Sequence, residues 1–248
     1  MDAATSTISR FLSSDSHNLK YIGISGLALV VGIDAKYALN YQQLVVNCLE
    51  DADDTLKITT LDLLYRMTNR HNVEAIVDKL LGYLRTTNIS SIAVRRDLIS
   101  KINSLCEQYA PTKKWQVKAM NRLYEVGAEL ITPELTNKFI AILSDYDREE
   151  DDQEFRTTLI STYLSILKTN HHLSDPMLQV IAWILGEYCQ TIESKKQGKI
   201  IKYLCEAVYQ PLDNDLTKCY LLTAITKVHM AMNFDHNPMV DVVMDDFS

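Results

Sequence analysis

The chain has 248 residues, 47% of them hydrophobic and 23% charged, with only seven glycines and five prolines. So few turn formers over this length argue against an all-β fold. The net charge of −7, from 25 basic and 32 acidic residues, disfavours nucleic acid as the main partner, because phosphate contacts need a basic face.

Apolar residues recur at helical spacing almost without pause. The predicted helices cover 3–13, 18–33, 36–50, 54–69, 73–86, 91–109, 113–129, 133–147, 154–169, 176–191, 196–209 and 214–233. Breaks between them are short, which forces neighbouring helices to run antiparallel. Thr132-Pro133 and Asp175-Pro176 each read as an N-cap followed by proline at the first helical position, where the missing amide costs nothing. Pro111, Pro211 and Pro238 stop one helix before the next. The longest weakly polar run, Ile22 to Ile33, has 12 residues. A membrane span needs about 20, so this run is expected to be a buried helix of a soluble chain.

A weak internal repeat organises these helices. A basic residue is followed by apolar residues four and seven positions later, as Lys20-Ile24-Leu27, Lys57-Leu61-Leu64, Arg95-Ile99-Ile102, Arg156-Ile160-Tyr163 and Lys218-Leu222-Ile225. The first three copies lie 37 and 38 residues apart, room for two helices and two turns. That spacing is close to the HEAT/armadillo period of about 40–47 residues. The expected fold is therefore an all-α solenoid (superhelix) of stacked antiparallel helix pairs, with residues 1–248 as a single segment. Gln43–Leu49 and Ala75–Leu81 read as the second helix of a pair, apolar on more than one side and so sandwiched between layers.

Little in the sequence carries chemistry. Gly23 and Gly26 lie in a helical pattern with no preceding strand, and read as small residues that allow close helix packing rather than as a nucleotide fingerprint. The six histidines form neither HExxH nor a Cys/His ligand cluster, and His171-His172 reads as a turn. Cys48, Cys106, Cys189, Cys205 and Cys219 stand alone without a CxxC, as free thiols of a reducing compartment do. The acidic run Asp145, Asp147, Glu149, Glu150, Asp151, Asp152 and Glu154 lacks the glycine and spacing of an EF-hand loop and reads as a solvated link. Asn88-Ile89-Ser90 matches a glycosylation sequon by coincidence in an unsecreted chain. Trp115 and Trp183 are assigned to core packing. No catalytic, cofactor-binding or metal residue is expected, and no enzymatic activity. The one candidate contact is Lys195, Lys196, Lys199 and Lys202, which share a helix start and could meet an acidic surface or lipid headgroup.

Several stretches resemble one family. They are Asn18–Tyr21, Cys48–Lys57, Leu63–Asn69, Asn72–Glu74, Tyr109–Pro111 with Trp115 and Met120, and above all Leu178–Tyr188, with Trp183 and Gly186-Glu187-Tyr188 inside it. Together they resemble the large-subunit trunk of heterotetrameric adaptor complexes, the adaptins. The likeness is strongest to the epsilon class of the fourth adaptor complex, covers roughly residues 11–230, and departs at Ile58, where relatives often carry a second basic residue. The resemblance implies a non-enzymatic scaffold in vesicle transport and cargo sorting. It packs with a second large, a medium and a small subunit. The assembled complex is recruited by a small GTPase to trans-Golgi or endosomal membranes. It also implies that the chain corresponds to a piece of a longer trunk. A generic HEAT/armadillo scaffold, of nuclear-transport or phosphatase type, is the alternative that the repeat alone would fit.

Overall fold

The computed structural model of the chain describes residues 2–33, 36–86, 91–145, 153–170, 172–233 and 236–247; for residues 2–5, 36–39, 86, 145, 194 and 195 it describes the backbone alone. Among the described residues there are thirteen α-helices and no strand. They group into two compact units, residues 1–127 and 128–248. The acidic positions 147–152, the sequon Asn88-Ile89-Ser90 and His171 lie outside the described residues.

The first unit holds α1 (Asp2–Leu12), α2 (His17–Ile33), α3 (Lys36–Asn47), α4 (Asp54–Met67), α5 (Val73–Thr86), α6 (Ile92–Tyr109) and α7 (Lys113–Gly127), with a 3-10 turn at Cys48–Glu50. The second holds α8 (Pro133–Asp145), α9 (Gln153–Thr169), α10 (Asp175–Glu187), α11 (Ser194–Val208), α12 (Asp215–Ala231) and α13 (Pro238–Phe247), with 3-10 turns at Ala128–Leu130 and Cys189–Thr191. The sequence reading ends several helices late because these short turns continue the apolar periodicity while tightening the last turn. It gives bounds for no helix beyond 233, but reads Pro238 as a break before a next one, and α13 begins there, with Val240 and Val243 buried.

Repeat geometry is visible in the side chains that link alternate helices. In the first unit Lys101 of α6 donates to Asp62 of α4, and Tyr65 Oη lies 3.3 Å from Ser104 Oγ; both pairs are 39 residues apart. Both partners advance together along the chain, so α4 and α6 run parallel, one repeat apart. Arg122 of α7 donates to Asp78 of α5, 44 positions away, in the same way. In the second unit Gln179 of α10 donates to Thr217 of α12 at 2.9 Å, and Lys227 donates to Glu187, at separations of 38 and 40. A period near forty with parallel equivalent helices is that of a HEAT-like array.

The repeat read from the sequence points inward for four of its five copies. Ile24, Leu27, Leu61, Leu64, Ile99, Ile102, Ile160 and Tyr163 are all buried. Their basic leaders Lys20, Lys57, Arg95 and Arg156 are half-buried, with stems along the core and heads at the rim. The fifth copy is out of phase. On α12 burial falls on Thr217, Leu221, Ala224, Ile225 and Val228, while Leu222 is half-exposed. A charged residue is free to sit one position off wherever the core stripe is set by other residues, and Leu221 sets it here. The sandwiched second-helix expectation also shifts. In α5, Ile76, Val77, Leu80 and Leu81 are buried while Glu74, Ala75, Asp78 and Lys79 face solvent. The helix buried all round is instead α10, from Met177 through Ala182 and again at Ile184, Leu185 and Gly186.

Candidate interaction surfaces

Three places concentrate the polar and aromatic residues of the chain, two at helix junctions and one on a helix face. The first is the turn between α3 and α4. Asp51 follows the 3-10 turn and is buried, so its carboxylate needs donors. Lys20 Nζ of α2 donates to Oδ2 at 2.7 Å, the Asp53 amide donates to Oδ1 at 3.1 Å, and His17 Nδ1 contacts Oδ1. The Lys20 hydrogen bond is the largest influence holding the Asp51 carboxyl down at about 2, against desolvation that opposes it. Two residues later in the turn, Asp53 caps α4 by accepting from the Leu56 amide at 2.7 Å. Lys20 is thus both the leader of the first repeat copy and the partner of the next helix pair's entry turn. Further on, Asn72 closes the α4–α5 turn: its Oδ1 accepts from the Asn69 amide at 2.7 Å and its Nδ2 donates to the Met67 carbonyl at 3.1 Å.

The second is the C-terminal half of α10. Gly186 lies where α10 and α12 approach closely: a Cβ there would stand 3.0 Å from Ala224 Cα. Glu187 pairs with Lys227 across that approach. Tyr188 is buried; its hydroxyl donates to the Leu143 carbonyl of α8 at 3.1 Å, the Arg156 guanidinium of α9 sits 5.7 Å from its ring centre, and Trp183 meets it edge to face at 5.7 Å. Helices α8, α9, α10 and α12 therefore converge on Trp183, Gly186, Glu187 and Tyr188. Trp183 is half-exposed rather than a core residue, because it also lines an open groove of about 210 Å³ with Leu216, Cys219, Tyr220 and Thr223 of α12. The sequence reading missed that groove; its signal was the outward spacing of Leu216, Cys219/Tyr220 and Thr223 on α12. Trp115 is half-exposed as well.

At the other end of this pair Asp175 does not cap its own helix as expected. Ser174 takes that position, and the Asp175 carboxylate reaches α12, accepting from the Asn214 amide at 2.9 Å and Thr217 Oγ1 at 2.8 Å. A carboxylate beside the unpaired amides and positive pole of a helix start is favourable there. Pro133, by contrast, starts α8 as read, with Thr132 Oγ1 accepting from the Leu135 amide at 3.4 Å.

The third is the lysine face of α11. Lys196, Lys199 and Lys202 are exposed on one side of the helix, Lys202 with Glu206 3.9 Å away; the side chain of Lys195 is outside the described residues. Ile200, Ile201, Leu204 and Cys205 anchor the opposite side. Of the cysteines, Cys48, Cys106, Cys189 and Cys205 are buried and Cys219 is exposed. Burial pushes the Cys106 thiol up to about 12 and that of Cys205 to about 11. Among the described residues no group of three or more His, Cys, Asp or Glu could hold a metal ion, and no helix is long and apolar enough to cross a membrane.

Comparison with known proteins places the chain in a family. Residues 1–246 match the family described as the adaptin N terminal region. The chain is 34% identical over 230 residues to the human AP-4 complex subunit epsilon-1, a match that takes 92% of this chain and 20% of that protein. It is 34% identical over 247 residues to the AP-4 complex subunit epsilon of Arabidopsis thaliana, covering 98% of this chain and 26% of that protein. The AP-1 complex subunit gamma of Dictyostelium discoideum is 23% identical, over 98% of this chain and 28% of that protein. The chain thus spans about a fifth to a quarter of the length of the epsilon subunits it matches. With that match running over residues 1–246, the chain belongs to the adaptin N-terminal family.

Proposed function

We propose that the chain is a scaffold segment of an epsilon-type large subunit of a heterotetrameric adaptor complex, a component of a vesicle coat in protein transport and cargo sorting. The observation that carries this reading is the match along residues 1–246 together with epsilon subunits as its relatives at 34% identity. The chemistry of the chain supports a holding role. Polar groups at its junctions are consumed in links between helices, as Asp51 is by Lys20 and Tyr188 by the Leu143 carbonyl. In this reading the two compact units belong to one continuous solenoid, the partners are the second large, medium and small subunits, and the assembled complex meets its small GTPase and the membrane at the trans-Golgi network or endosomes. The lysine face of α11 is its candidate contact with an acidic surface.

The test is co-expression of the chain with the other three subunits of an epsilon-type complex, followed by capture and mass measurement. Stoichiometric recovery of at least one of those subunits is expected. Recovery of none, or recovery of transport receptors or phosphatase subunits from cell extract instead, would overturn the adaptor reading in favour of a generic HEAT scaffold.

A further inference from the structure

We draw no further inference here: the strongest candidate, the open groove between α10 and α12 lined by Trp183, Leu216, Cys219, Tyr220 and Thr223, is an apolar face with a single exposed thiol, and nothing in the structure shows what covers it.

Discussion

Lys20 and Asp51 sit in different helix pairs, 31 positions apart, and meet at 2.7 Å with the carboxylate buried. Removing one partner leaves the other without its counter-charge in a partly dry site, which costs more than an exposed pair would. Asp51→Asn is expected to destabilise the first unit by about 1–3 kcal/mol, read from urea unfolding. A cost below a few tenths of a kcal/mol, the level of a surface change, would sink this account.

The same pair fixes a pH dependence. The folded Asp51 carboxyl is held at about 2, below its ordinary 3.8. A depressed carboxyl contributes stability that is present above its unfolded value and is lost as pH falls through the folded one. The wild-type chain is expected to lose this contribution between about pH 4 and 2. Asp51→Asn, which cannot ionise, is expected to lack that component, so wild type and variant converge in stability toward pH 2. Parallel curves down to pH 2 would contradict it.

Two glycines predict opposite outcomes for one substitution. Gly82 lies inside α5 with nothing within 4 Å of where an added methyl group would stand, whereas Gly186 has the Ala224 backbone at 3.0 Å. Alanine favours helix over glycine by about 1 kcal/mol, so Gly82→Ala is expected to stabilise by about 0.5–1 kcal/mol. At Gly186 the same gain is outweighed by overpacking against backbone that cannot rotate away, and Gly186→Ala is expected to cost about 1–3 kcal/mol net. Thermal melts of the two variants decide it; the same sign of shift in both would show that α10 and α12 do not need the close approach.

Cys219 is exposed while the other four cysteines are buried. Thiol labelling of the native chain is expected to show one fast equivalent, absent in Cys219→Ser, with the others reacting only on unfolding. Two or more fast thiols in the native chain would contradict the packing around Cys106 and Cys205, whose thiols burial holds high.

Fold class was legible because the helical period is strong and glycine and proline are few. The repeat was legible in copies such as Lys57-Leu61-Leu64, where burial on both sides of the helix pair leaves one allowed stripe. It misled at Lys218, where the stripe is set by Leu221 and the lysine merely sits beside it. The junction residues were legible as a family pattern but not as geometry. Nothing local says that Asp175 serves α12 rather than its own helix, since that depends on a partner 39 positions away. The Trp183 groove left only the outward spacing on α12 as a signal, because an aromatic residue on an apolar helix reads as core until the neighbouring helix is known to leave it open.

The lysine face of α11 is the remaining candidate contact, and its worth can be measured. Lys196, Lys199 and Lys202 project from a helix whose other side is anchored by Ile200, Ile201 and Leu204, so they move as one face. Each basic residue near an anionic surface contributes about 1 kcal/mol. Lys202 contributes less than that here, because Glu206 lies 3.9 Å away and already offsets part of its charge. Replacing all three by glutamate is therefore expected to weaken binding to anionic vesicles by about two orders of magnitude at low salt, with the difference shrinking as salt rises. The control is Lys79→Glu with Lys114→Glu and Lys118→Glu, three exposed lysines elsewhere on the chain and the same change in net charge. If the control loses as much as the α11 variant, the chain meets acidic surfaces through overall charge alone and α11 has no special part in it.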